Sequence, residues 1–168
     1  MQAILYSLQM MHRTLSSISY IVAFVLGILV LLIVYDATAR YLFSEGSTAL
    51  QELEWHLFDV VILLSIAYTF EQNSHVRVDI FYDKFSLKTQ AVIDMLAIVM
   101  FVLPLSGLII YIGFDFVSMS FLQNEASSDP GGLSQRWIVK SLMPLAFVLL
   151  FVQALRKLFQ TLQRYKTL

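Results

Sequence analysis

Cysteine is absent from this 168-residue chain, which excludes disulfides, thiolate metal sites and thiol catalysis together. Four-helix quinone-linked disulfide oxidoreductases are of similar size but depend on cysteine pairs, and they are excluded with the rest. Charge is scarce too: 14% of the residues are Asp, Glu, Lys or Arg, against about 25% in soluble domains. The net charge of −1 argues against a nucleic-acid partner or a polybasic membrane-surface role. Catalytic signatures are missing, with no G-x-S-x-G, phosphate loop or His-Glu-x-x-His in the chain. No internal repeat or low-complexity linker divides it, so one domain over residues 1–168 is expected.

Apolar side chains are what the sequence has in quantity, at 58% of the residues. A soluble protein of that composition would expose large apolar patches, which soluble proteins avoid; lipid is the simpler solvent. A bilayer core of about 30 Å takes roughly 20 apolar residues as a helix. Leu15 to Tyr35 carries no charge and ends at Asp36, and Met95 to Phe114 lies uncharged between Asp94 and Asp115. A fourth run, Ser141 to Leu155, sits between Lys140 and the Arg156–Lys157 pair, with Trp137 and Ile138 able to extend it.

The second span is different. Its uncharged run, Val60 to Phe70, has 11 residues, about 16 Å of helix. To cross, it must begin near Ala49 or Leu50 and take in Glu52, Glu54, His56 and Asp59, with Trp55 at headgroup depth. The expectation is therefore an all-α integral membrane protein with four transmembrane helices, at about 15–35, 50–71, 90–114 and 137–157. Ala37-Thr38-Ala39 has the look of a signal cleavage site, but the apolar run before it exceeds the 7–15 residues of a signal peptide. A retained first helix is expected.

Lysine and arginine set the orientation. The two tails and the middle loop hold eight of them (Arg13, Arg77, Lys84, Lys88, Arg156, Lys157, Arg164 and Lys166), and the other two loops hold Arg40, Arg136 and Lys140. Both termini are thus expected in the cytoplasm. Ser127-Ser128-Asp129-Pro130-Gly131-Gly132 is a strong turn cluster, and Asp129 and Arg136 are the candidates of that loop, on the side opposite the cytoplasm. Pro104 and Pro144 fall inside helices and predict kinks.

Ionisable residues at membrane depth are functional candidates. Glu52, His56 and Asp59 fall at i, i+4 and i+7 and share one helix face. A metal site, a proton relay through His56 and Asp59, and a face turned to a partner or the bundle interior are the competing readings. The scattered histidines and missing metal motif favour the last. Arg40-Tyr41 reads either as an interfacial anchor or as a charge paired with Glu52, Glu54 or Asp59 across the first hairpin. His75-Val76-Arg77-Val78-Asp79 is a short polar and β-branched alternation in the middle loop.

Taken in order, Ala39-Arg40-Tyr41-Leu42-Phe43, Glu52-Leu53-Glu54-Trp55, Ala67-Tyr68-Thr69-Phe70 and His75-Val76-Arg77-Val78-Asp79 resemble the small membrane subunit of tripartite ATP-independent periplasmic (TRAP) transporters, over nearly the whole chain. Glu125 to Gly132, with Arg136-Trp137 and Lys140 to Pro144, resembles a subgroup associated with organic-acid and related substrates. Many members have two adjacent acids opening helix two; here Leu53 separates Glu52 from Glu54, so either acid is placed to fill the family role.

The resemblance implies a non-catalytic chain in the bacterial inner membrane. It would pack against and brace a large membrane subunit that carries the solute and sodium sites, while a periplasmic binding protein delivers a carboxylate or sulfonate. No cofactor is expected on this chain, and sodium is expected on the large subunit. Its partners would be that subunit, the binding protein and lipid, without nucleic acid. The interface or pairing candidates are Arg40, Tyr41, Glu52, Glu54, Trp55, His56 and Asp59, with His75, Arg77 and Asp79 as the cytoplasmic-loop motif. A membrane anchor of a redox enzyme is the alternative, although only His56 comes near the depth that haem ligation would want.

Overall fold

The computed structural model describes residues 2–71, 82 and 84–167. Four long helices account for most of them: α1 (Gln2–Phe43), α2 (Thr48–Glu71), α3 (Leu87–Leu122) and α4 (Trp137–Thr167). Each contains a stretch long and apolar enough to cross a membrane. The chain is an all-helical, multi-pass membrane protein.

Local chemistry explains where these helices start and stop. Ser47 caps α2, its hydroxyl accepting from the Leu50 N–H at 3.4 Å. Ser86 does the same for α3, accepting from the Thr89 N–H at 3.2 Å, which satisfies one of the orphan donors of a first turn. At the far end of α3, Asn124 takes a left-handed conformation with φ 48°. The Glu125 N–H then reaches the Ser120 carbonyl and the Asn124 N–H the Phe121 carbonyl. That pair of bonds is a Schellman ending, with Asn in the place where glycine is commonest.

Charges do not end α1. It runs through Asp36 and Arg40 to Phe43, because a carboxylate interrupts an apolar run without interrupting the backbone ladder. Within α3, residues Ile98–Val102 form a π turn just ahead of Pro104. Proline has no N–H for the carbonyl four residues back and its ring crowds that carbonyl. Here that carbonyl belongs to Met100, inside the widened turn, so the π turn is the accommodation.

The extensive helix contacts join α1 to α2, α2 to α4, and α4 to α3. The four helices therefore stand in a row ordered α1–α2–α4–α3. Among the described residues the buried apolar ones are few, and half are alanine: Leu29, Ala91, Ile98, Ala146, Leu150 and Ala154. α4 holds three of these six, as an inner member of the row should. At Gly113 of α3, an added Cβ would lie 3.2 Å from Pro144 Cβ and 3.3 Å from Met143 Cε. The proline that reads as a kink also forms the wall against which this glycine packs.

Candidate functional site

The connections at residues 44–47 and 123–136 lie at one end of the row, and there the polar residues of α2 meet α4 and the longer loop. Ser127 N–H bonds the Leu133 carbonyl at 2.9 Å and Arg136 N–H bonds the Glu125 carbonyl at 3.0 Å, so the loop closes on itself. Its tip is a turn with Gly132 N–H on the Asp129 carbonyl at 3.0 Å. Pro130 and Gly131 hold the central positions, and Gly131 has φ +78°, a backbone state that glycine adopts without a Cβ penalty.

Glu52 ties this loop to the bundle. Its carboxylate, buried at the start of α2, accepts from the Ser127 hydroxyl and from the Leu133 N–H at 2.6 Å. Gly132 makes room for the clasp: a Cβ there would lie 2.4 Å from Ser127 and 2.8 Å from the Glu52 carboxylate. A second tie joins Glu125 to Lys140 at the start of α4. The Lys140 ammonium also rests over the Phe116 ring, 4.1 Å from its centre. That hydrogen bond from Lys140 holds the Glu125 carboxyl below the usual carboxylate range; Arg136 acts in the same sense and burial opposes both.

Between the two ties lies an open cavity of about 440 Å³, lined by Glu52, Trp55, His56, Asp59, Glu125, Arg136, Val139 and Lys140. The i, i+4, i+7 stripe of Glu52, His56 and Asp59 thus shares one wall. The three members differ: Glu52 is engaged, His56 is half-buried, and Asp59 is exposed. Asp59 falls at the midpoint of the Thr48–Phe70 stretch and immediately before the uncharged run that begins at Val60.

Glu54 points another way. It lines a groove against α1 with Leu29, Ile33, Trp55 and Phe58, and Asp36 and Arg40 act on it electrostatically. Arg40 itself pairs with Asp36, one turn earlier on the same helix, at 2.7 Å. Glu52, Glu54 and Asp59 were the partners expected across the hairpin; the ion pair that forms is within α1. The reason is geometric: Asp36 at i−4 is on Arg40's own face. Asp36 is wholly buried while the Arg40 side chain is 43% exposed, the posture of an arginine reaching toward the interface.

Tyr41 and Trp55 are exposed, and Trp55 meets Phe58 edge-on at 6.4 Å. Asp129 is exposed and contributes its backbone to the turn, while Arg136 is half-buried on the cavity wall. His75, Arg77 and Asp79 lie outside the described residues. Sequence reasoning overlooked Asp36 as a buried partner, Ser127 and the Leu133 N–H as the donors to Glu52, and the Glu125–Lys140 tie. The turn cluster signalled the loop's shape but not what it binds.

No group of three or more metal-ligating side chains occurs among the described residues. The chemistry on display is ionic pairing and loop anchoring. Compared with known protein families, residues 29–164 match the family described as Tripartite ATP-independent periplasmic transporters, DctQ component. That stretch takes in all of α2, the cavity and the anchored loop. No curated protein matches the chain.

Proposed function

The chain belongs to the DctQ component family of tripartite ATP-independent periplasmic transporters, and from that premise we propose that it is a non-catalytic brace for a large transport subunit in the bacterial inner membrane. That subunit would carry out sodium-coupled uptake of an organic acid, a carboxylate or sulfonate, delivered by a periplasmic binding protein. The observation that carries the reading is the row of helices. Four helices side by side enclose no lumen, and they leave broad apolar faces for a neighbour or for lipid. Such faces suit a scaffold, since contact between membrane helices comes from packing and polar pairs.

In the orientation set by lysine and arginine, both termini are cytoplasmic and the anchored loop 123–136 faces the periplasm. Reporter fusions at either terminus test this; a terminus found outside would reverse it. The brace itself is tested by uptake into vesicles. With this chain alone we expect no uptake, and with the large subunit and binding protein added we expect sodium-dependent uptake of an organic acid. Robust uptake by this chain alone would refute the proposal.

A further inference from the structure

Two connections close the row at the loop end, and they differ in kind. Residues 44–47 join α1 to α2 with four residues, whereas 123–136 join α3 to α4 with fourteen. Connections between packed helices usually take about 2–8 residues. The longer one is shaped throughout. Backbone bonds from Ser127 to Leu133 and from Arg136 to Glu125 close it, and Glu52 holds it to α2. Gln135 sits at φ 61°, a left-handed state that side chains seldom adopt unless their surroundings impose it. A loop fixed before contact loses less conformational freedom on binding.

The surface of this loop selects its partner. Between Leu122 and Ile138 no large apolar side chain is exposed; the outward positions include Ser128, Asp129, Pro130, Ser134 and Gln135. A membrane helix, which associates by close packing in lipid, has nothing there to pack against. The exposed charges of the two connections are Glu45 and Asp129, and both repel anionic lipid headgroups. A water-soluble protein carrying a basic patch fits the polarity and the charge together. In the orientation set by lysine and arginine, this end lies opposite the cytoplasm, on the side of the soluble binding protein.

We propose that loop 123–136 is the platform on which the soluble binding protein docks, setting basic side chains against Asp129. Glu52 is then the positioning residue that holds the loop in shape. The proposal rests on the brace reading and adds to it where this chain meets the third component.

The test is association of the binding protein with the complex of this chain and the large subunit, held in phosphatidylcholine nanodiscs. Asp129→Lys, at an exposed tip where folding is not at stake, should slow association about tenfold, the lower end of what charge steering commands. It should also flatten the dependence of association on salt, which a merely structural role would not do. Glu52→Ala should weaken binding and speed hydrogen exchange at the Ser127 and Leu133 amides. Glu52→Gln, whose side-chain carbonyl still accepts from the loop donors, should stay close to the native chain. The absence of native cysteine allows a measurement that leaves Asp129 and Glu52 intact. Ser128→Cys, labelled with a benzophenone maleimide, should form an adduct with the binding protein on illumination.

Native-like association of Asp129→Lys would overturn the platform, as would adducts with the large subunit or lipid alone. If this chain and the large subunit form no complex, the brace reading falls and the platform with it. If the complex forms and the binding protein is indifferent to the Asp129 and Glu52 variants and the Ser128 probe, only the platform falls.

Discussion

Between α3 and α4 the contact is made by small residues, whereas between α1 and α2 it is made around charged ones. On the first seam Gly113 meets Pro144 and Met143, and Ser106 and Ser120 of α3 are all but inaccessible. On the second, Leu29 is the buried apolar residue of α1 among those whose side chains are described, and Asp36 is wholly buried near Glu54 and Arg40. Lipid is as apolar as leucine, so helices in it are drawn together by close packing or by polar groups that lipid cannot satisfy. This chain relies on close packing in the α3–α4 hairpin, with the Glu125–Lys140 pair at its loop end, and on buried charge in the α1–α2 hairpin. The charged seam leaves Asp36 Oδ1 and Glu54 Oε1 buried without hydrogen-bond partners among the described residues.

The contrast breaks most severely at Gly113. Gly113→Leu would push a branched side chain into Pro144 and Met143 and should cost up to about 3 kcal/mol, read as lowered thermal stability in detergent. Gly27, with nothing within 4 Å of an added Cβ, is the control, and Gly27→Leu should melt close to the native chain. If both variants melt alike, close approach does not hold the α3–α4 seam.

Arg40→Gln should have a smaller effect on the other seam, roughly 1–2 kcal/mol, because it strips a buried carboxylate of its counter-ion. The double variant Asp36→Asn with Arg40→Gln should recover most of that loss in the same melts. A double variant no better than the single one would show that the α1–α2 seam does not depend on this charge pair.

The smallest effect should come from the loop that closes the α3–α4 hairpin. The folded state lowers the Glu125 carboxyl, chiefly through Lys140. The Glu125 contribution is therefore present above its ordinary value of 4.5 and fades as pH falls below that, through the lowered value. Trp137, packed edge-on against Phe121 at 5.3 Å, should report this as a fluorescence change in a Trp55→Phe background. Lys140→Gln should move the change up toward the ordinary carboxylate range; an unmoved titration would discount the tie.

Much of this architecture can be read along the chain. The turn at Asp129–Gly132 follows from a Pro-Gly pair whose conformational demands are local, and Glu52, His56 and Asp59 share a wall because helical periodicity puts them there. The partner of Arg40 was within reach of the same rule, since Asp36 stands four residues before it. It was passed over because Asp36 reads as the end of an apolar run. The Glu52 clasp is another matter: its donors, Ser127 and Leu133, lie 75 and 81 positions away. No local pattern selects them from the other polar groups of the loop.

By itself, the sequence determined that this protein lives in a membrane, with four crossings, a charged second helix and the family it belongs to. Hydropathy is local and additive, so a bilayer's demand on length and composition is written into each segment separately. Only the tertiary structure decided the order α1–α2–α4–α3, the burial of Asp36, the donors of Glu52 and the exposure of Asp59 at mid-span. Those depend on how each helix is rotated and which neighbour it meets, and that is settled by all the contacts of the chain together.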